Sequence, residues 1–217
     1  RRHTRCLSDW SSDVCSSDLE PFQDGGRPNF REVISHVGGI VWYQNLLYVA
    51  DKDFGLRVFD LSRLIPVPSG KQVIGYDPGS AKYYAADYDY VLPQIDSYAR
   101  SGSCEELYSF VSLDRRSIPH QLLTGEYCNG SSHCAHPYDG RIFTWRLNSR
   151  SGRLYPSSAG AVLPVLSDSK TSITPTGAWF IGEKQVQGAA LAGSKAYFSS
   201  SAPSGSSGAL YVTTVST

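Results

Sequence analysis

Hydrophobic positions along the chain fall in short runs that are typical of β-strands rather than of helices. The runs are rich in Val, Ile, Tyr, Phe and Trp, and clusters of Gly, Pro, Ser, Asn and Asp separate them. The predicted strands are residues 39–43, 46–50, 56–59, 88–92, 107–113, 121–127, 141–147, 178–181, 186–191, 195–199 and 209–213. A single helical turn is expected at 61–65, and irregular chain at 65–86 and 156–175. The pattern predicts an all-β protein.

A three-strand pattern occurs twice in the sequence. Residues 39–58 contain Gly-Ile-Val, then Tyr-Val, then Gly-Leu-Arg-Val, and residues 188–211 contain Gly-Ala-Ala, Tyr-Phe and Gly-Ala-Leu-Tyr at similar spacing. Residues 140–145 resemble a third copy of the last element. Repeated antiparallel meanders favour a β-propeller, here a fragment of about three to four blades. A β-sandwich is the alternative fold.

Residues 1–19 do not resemble the rest of the chain. The segment, from Arg1 to Leu19, resembles a translated sequencing adapter, and we interpret it as non-native. We therefore predict a partial β-propeller domain over residues 20–217, as an internal fragment of a longer protein whose signal peptide would lie upstream.

Charge and motifs exclude several classes of function. The 20 basic residues balance the 20 acidic ones, which argues against a nucleic-acid partner. No apolar run approaches the roughly 20 residues of a membrane span. The sequence Asp51-Lys52-Asp53 and the cluster of His133, Cys134 and His136 lack the further ligands of a metal site. We predict no cofactor and no metal.

The chain has five cysteines, of which the three outside residues 1–19, Cys104, Cys128 and Cys134, together with a glycosylation sequence favour an extracellular protein. If strands 107–113 and 121–127 form a hairpin that turns near residue 116, Cys104 and Cys128 lie opposite each other and can form a disulfide. A Cys128–Cys134 pair is the alternative. Asn129-Gly130-Ser131 is an acceptor sequence for N-glycosylation. Together these features predict secretion.

Three polar residues are candidates for a binding site. His36 precedes a strand that would line the channel of a propeller, and we place Gln187 at the matching position of the last repeat. Glu126 lies at the apolar end of a strand, where it could act as a general acid or base. The structural alternatives are a backbone hydrogen bond for His36, and an ion pair of Glu126 with Arg141 or Arg146.

Tyrosines are candidates for stacking against a sugar ring. Tyr83, Tyr84, Tyr88 and Tyr90 are close together in the sequence. The alternation of Tyr88 and Tyr90 is equally typical of one strand face that packs in a core.

Several motifs resemble those of a family of secreted proteins from fungi and actinobacteria. They are His-Val-Gly-Gly-Ile-Val-Trp-Tyr (36–43), Leu-Tyr-Val-Ala-Asp (47–51), Gly-Leu-Arg-Val-Phe-Asp-Leu (55–61), Tyr-Val-Leu-Pro-Gln (90–94), Phe-Val-Ser-Leu-Asp-Arg (110–115), Gly-Glu-Tyr (125–127) and Gln-Gly-Ala (187–189). The resemblance covers nearly all of residues 28–215. It implies a secreted, β-propeller-like domain, and it implies no reaction, because the family offers no established catalytic residues to carry over.

Two functions are consistent with these observations. The first is a secreted propeller domain that binds an extracellular polysaccharide or small molecule through His36, Glu126, Gln187 and Tyr88. The second is an enzyme on the same scaffold, a lactonase, lyase or glycoside hydrolase, in which Glu126 is the acid or base and His36 orients the substrate or holds a cation. Glycosidases generally need paired carboxylates, and only Glu126 is a persuasive half of such a pair.

Overall fold

The computed structural model describes residues 18–52, 54–100, 107–129, 140–155, 171–201 and 207–214. The fold is all-β, as predicted. The strands are β1 (Asp18–Asp24), β2 (Arg27–Glu32), β3 (Val37–Tyr43), β4 (Leu46–Asp51), β5 (Gly55–Asp60), β6 (Ile65–Pro66), β7 (Ile74–Asp77), β8 (Lys82–Ala85), β9 (Tyr90–Arg100), β10 (Phe110–Asp114), β11 (Gln121–Gly125), β12 (Arg141–Arg146), β13 (Thr171–Ile173), β14 (Gly177–Phe180), β15 (Val186–Ala192), β16 (Lys195–Ser200) and β17 (Ala209–Thr214). A 3-10 turn at Leu61–Arg63 matches the predicted helical turn. Within the described ranges, no helix is long and apolar enough to span a membrane.

The strands form three main sheets and one separate hairpin. In the first sheet β3, β4, β5 and β9 are an antiparallel series, which β1, β2, β6 and β13 extend. The second sheet has the order β10-β11-β12-β14, and the third has the order β15-β16-β17. The hairpin pairs β7 with β8. As far as the described residues show, none of these sheets closes on itself.

The two copies of the sequence repeat have the same strand arrangement. Each forms an antiparallel meander, β3-β4-β5 in the first copy and β15-β16-β17 in the second. The register shifts between Val37 and Gly39 in β3, and between Val186 and Gly188 in β15. The shared irregularity aligns the two copies residue by residue.

This alignment corrects one equivalence that we read from the sequence. The amide of Lys52 donates to the carbonyl oxygen of His36 at 3.3 Å, and the amide of Ser201 donates to that of Gln185 at 3.0 Å. Both bonds lie directly beyond the register shift of their repeat. Gln185 is therefore the counterpart of His36, and the prediction that Gln187 occupies that position is wrong.

The first strands of the meanders β3-β4-β5, β10-β11-β12 and β15-β16-β17 lie next to one another. β10 contacts both β3 and β15. A side chain at Gly38 would overlap the backbone carbonyl of Ser109, so the absence of a Cβ allows β3 and β10 to approach closely. On the other side, the Ser109 hydroxyl donates to the carbonyl oxygen of Val186 at 3.2 Å. The three sheets thus succeed one another along the row β3, β10, β15.

Three strands of the second sheet, β10, β11 and β12, are buried on both faces, whereas β14 is exposed. One face packs against the first sheet, where Leu122 and Trp145 join Tyr48 in one hydrophobic cluster. The other face packs against the third sheet, where Leu123 and Phe198 belong to a second cluster. Successive residues of a strand point to opposite faces, which explains why burial along β10, β11 and β12 is nearly continuous rather than alternating.

The predicted register of one hairpin is wrong. In the structure Phe110 pairs with Gly125, and Asp114 pairs with Gln121. Extended beyond the ladder, this register would place Cys128 opposite residue 107 rather than opposite Cys104. Cys128 is fully buried, whereas residue 104 and its alternative, residue 134, lie outside the described residues. The Cys104–Cys128 disulfide stays a prediction, and the hairpin register no longer supports it.

The first described strand includes the end of the adapter-like segment. β1 begins at Asp18 and pairs with β9 in parallel through Asp18 and Leu19. Leu19 is fully buried in a cluster with Ala85 and Val91. An apolar residue at position 19 is therefore part of the packing between β1 and β9.

Replacement of Gly38 by alanine tests the close approach of β3 and β10. The added methyl group has to displace the backbone of Ser109, and we expect Gly38→Ala to lower the free energy of unfolding by about 1–3 kcal/mol. Gly79→Ala is the control, because a Cβ there makes only ordinary contact with Asp77. Chemical denaturation measures both variants. Equal stability of the two variants would contradict the proposed packing.

Candidate functional site

An apolar cavity of about 520 Å³ lies among β1, β2, β6, β8 and β9. Its walls contain an unusual number of prolines, namely Pro21, Pro28, Pro66, Pro68 and Pro93. Proline has no amide hydrogen, so it interrupts a ladder and is found at sheet edges and bulges. The cavity lies where this part of the sheet cannot continue as a regular ladder.

Aromatic rings form one wall of the cavity. The Tyr83 hydroxyl donates to the carbonyl oxygen of Pro28 at 2.6 Å, which fixes the ring orientation. The centroid of the Tyr83 ring lies 5.6 Å from that of Phe30 and 5.3 Å from that of Tyr76. Such centroid distances are typical of favourable ring pairs. The Tyr83 ring is therefore held by contacts with Pro28, Phe30 and Tyr76.

Asn29 attaches the β7–β8 hairpin to β2. Its side-chain oxygen accepts hydrogen bonds from the amides of Phe30 and Tyr76, both at 2.9 Å. Gly75 faces this contact with φ of +94°, and a Cβ there would lie 2.5 Å from the same oxygen. A residue without a Cβ is thus required for the hairpin to reach β2 and complete the cavity wall.

An ion pair closes the hairpin. The Lys71 ammonium group contacts the carboxylate of Asp77, which also accepts from the Ser80 hydroxyl at 2.7 Å. These hydrogen bonds, that from Lys71 above all, lower the pKa of Asp77 from 3.8 to about 2. The amide of Gly79 donates to the same carboxylate at 3.2 Å. Asp77 is therefore charged at every pH near neutrality.

A buried cluster of charges holds β1 on the first sheet. The Arg57 guanidinium contacts Glu20 at 3.1 Å, Asp51 at 2.6 Å and the Gln94 side-chain oxygen at 2.8 Å. It also lies 3.7 Å from the centroid of the Phe54 ring. The carboxylate of Asp51 is thus an ion-pair partner. Among the described residues no group of three or more potential metal ligands occurs.

Glu126 is engaged in an ion pair inside the protein. The side chain is fully buried, and its carboxylate accepts hydrogen bonds from Arg141 at Nε (2.7 Å), at Nη2 (2.5 Å) and at the backbone amide (3.0 Å). Arg146, the other partner considered, is exposed. This geometry is that of a structural pair, in which both carboxylate oxygens are already bonded.

The other predicted site residues do not line the cavity. His36 and Gln187 are exposed near the starts of β3 and β15, and Tyr88 is exposed after β8. Asn129 is exposed, and the remainder of its glycosylation sequence lies outside the described residues. Of the residues considered for stacking, Tyr83 lines the cavity.

The sequence contained a signal for the cavity that the prediction did not use. Prolines recur in the segments that surround it, most densely in Ile65-Pro66-Val67-Pro68. We expected this stretch to be irregular, whereas it includes β6, which pairs with β9.

Comparisons with protein-family models, with curated proteins and with solved structures found no match to this chain.

Removal of the charge of Glu126 tests its structural role. Glu126→Gln leaves the buried guanidinium of Arg141 without its counter-charge, and we expect the free energy of unfolding to fall by about 3–5 kcal/mol. Glu32→Gln, on the exposed side of β2, is the control and should change stability by less than about 0.5 kcal/mol. Denaturant titration compares the variants. A Glu126→Gln protein as stable as the control would contradict the buried pair.

The Lys71–Asp77 pair predicts an acid titration with a definite direction. The lowered pKa of Asp77 stabilises the fold above a pH of about 4, and this contribution is lost as the pH falls through about 2. A carboxyl NMR titration should find the Asp77 midpoint near 2. Lys71→Gln should raise that midpoint toward 3.8, and Lys195→Gln, which changes an exposed lysine of the third sheet, should leave it unchanged.

Proposed function

We propose that this chain is part of a secreted, β-propeller-like domain that binds an extracellular small molecule. The observation that carries the proposal is the cavity of about 520 Å³ with its apolar, fixed walls. Small-molecule sites are typically concave, mostly apolar and largely preformed, with volumes of about 300–1,000 Å³.

The arrangement of the sheets supports a propeller-like fold. Antiparallel meanders succeed one another in sequence, and β10 contacts β3 and β15, the first strands of the meanders on either side. Successive blades of a propeller are related in this way, with the first strand of each nearest the axis. A sandwich instead packs two sheets face to face. The burial of the second sheet between two others favours the propeller.

The cysteine and the glycosylation sequence support secretion. Cys128 is fully buried and Asn129 is exposed, so the two neighbouring residues suit a disulfide and a glycan respectively. We propose Cys104 as the disulfide partner of Cys128 and Cys134 as the alternative. Both features belong to the extracellular environment.

The lining of the cavity favours a small apolar molecule over a polysaccharide. Sugars need many hydrogen-bonding partners when they are desolvated, whereas this lining is mainly apolar and rich in prolines. The enzyme hypothesis gains no support from Glu126, whose carboxylate is bonded to Arg141.

A neutral fluorescent probe tests the cavity directly. N-phenyl-1-naphthylamine emits strongly in apolar sites, and we expect it to bind the wild-type protein. Ile65 lies at the cavity and is 46% exposed, so Ile65→Trp fills space without disturbing the core. We expect this variant to bind the probe at least about tenfold more weakly, a change of about 1.4 kcal/mol.

Ile34→Trp is the matched control for this experiment. Ile34 is 86% exposed and lies away from the cavity, so its substitution should leave binding of the probe unchanged. Equal binding by the wild type and Ile65→Trp would place the probe elsewhere and contradict the proposed site.

A further inference from the structure

We propose that the ligand of the cavity is an amphipathic organic anion, whose apolar body fills the cavity and whose charged end meets Lys82. The proposal rests on the proposed function and names the ligand class for the same site. It depends on two features, the chemistry of the walls and the charge at the edge of the cavity.

The walls select an apolar body. The prolines in the walls have no amide hydrogen to donate, and the Tyr83 hydroxyl is already bonded to the carbonyl of Pro28. The side-chain oxygen of Asn29 is occupied by the amides of Phe30 and Tyr76. A ligand with many polar groups would lose its hydrogen bonds to water without replacement, whereas a ring system or an alkyl chain loses none.

The charge at the cavity is positive. Lys82, the first residue of β8, is exposed and contributes to the lining, and its side chain has no hydrogen bond or ion pair with any other described residue. Its ladder partner Asp77 is bonded to Lys71 and Ser80 instead. The neighbouring cation Arg27 lies 4.0 Å from the centroid of the Tyr76 ring. The ammonium group of Lys82 therefore remains for a ligand.

No acidic side chain is present among the described residues that line the cavity. A cationic ligand would thus meet like charge at Lys82 and no counter-charge in the walls. A neutral apolar ligand would fit the walls but leave the ammonium group unused. The combination of an apolar interior with one cation at its edge is complementary to a molecule with a single carboxylate or sulfonate.

Two probes with the same ring system isolate the contribution of the charge. 8-Anilinonaphthalene-1-sulfonate differs from N-phenyl-1-naphthylamine by one sulfonate group. We expect the anionic probe to bind wild-type protein about fivefold more tightly than the neutral one at low salt, the effect of an exposed ion pair. Fluorescence titration at pH 7 measures both dissociation constants, and added salt should reduce their ratio.

Substitution of Lys82 identifies the residue responsible. Lys82→Gln should bring the two dissociation constants together and leave the neutral probe unaffected, whereas Lys82→Arg should retain the preference. Lys195→Gln, which removes an exposed lysine of the third sheet, is the matched control and should behave as wild type. Dodecanoate and its methyl ester, as competitors of the neutral probe, should show the same preference and the same dependence on Lys82.

The possible results separate the two proposals. If the neutral probe binds, Ile65→Trp prevents this binding, and the anionic probe shows no preference that depends on Lys82, the cavity is a binding site but the ligand class is wrong. If Ile65→Trp weakens neither probe, the cavity is not the site and both proposals fail. A preference that persists in Lys82→Gln and disappears in Lys195→Gln would also overturn the assignment.

Discussion

The main constraint on this fold is that β10, β11 and β12 are buried on both faces, so a charged side chain at their buried end needs a partner inside the protein. The ion pair of Glu126 and Arg141 meets this constraint. The first sheet solves the same problem with Asp51 and Arg57. In both sheets a carboxylate at the end of the second meander strand meets an arginine of the third strand. In the third sheet the position that corresponds to Asp51 is Ser200, whose hydroxyl donates to a backbone carbonyl at 2.7 Å. An ion pair thus occupies this position in the first and second sheets, where both partners are buried, and a serine occupies it in the third.

Burial of these ion pairs costs desolvation free energy, and their geometry favours one strand register. Removal of water from an arginine and a carboxylate is unfavourable, and only well-formed hydrogen bonds repay it. Glu126 receives three such bonds from one residue. Any register in which β11 and β12 slip by one residue would separate the pair and move every side chain to the opposite face. The ion pair and the two-sided core therefore favour the same register.

The sequence predicted the strands of the meanders well and the site poorly, for one physical reason. In β3, β4 and β5 the signals are local, since runs of β-branched and aromatic residues are separated by short stretches of turn-forming residues. β1 and β2 were missed because Pro21 and Pro28 argue against a strand interior. Proline is tolerated at both positions, because β2 is the edge strand of the sheet and β1 pairs with β9 only through Asp18 and Leu19, before Pro21. The hairpin of β7 and β8 was missed because its segment is rich in Gly and Pro.

The candidate site depends on contacts between distant segments, which no local pattern records. Pro21, Pro66 and Pro93 come from three separate strands and meet only after β1 and β6 have paired with β9. Glu126 illustrates the opposite error. Its polar character in an apolar context suggested chemistry, whereas its partner, Arg141, 15 residues further along the chain, gives it a structural role. The sequence offered this partner as an alternative and could not choose between the two.

Because the β7–β8 hairpin is attached through Asn29 outside the three sheets, the residues of the central packing and those of the cavity walls can change independently in evolution. Residues of the clusters between the three sheets are constrained by packing, because each face of the second sheet depends on both neighbours. The cavity walls instead belong to the outer edge of the first sheet, to the chain that crosses it and to a hairpin outside the three sheets. Substitutions in these walls can accumulate without disturbing the central packing. Related chains could therefore share the sheets and differ in the molecules that they bind.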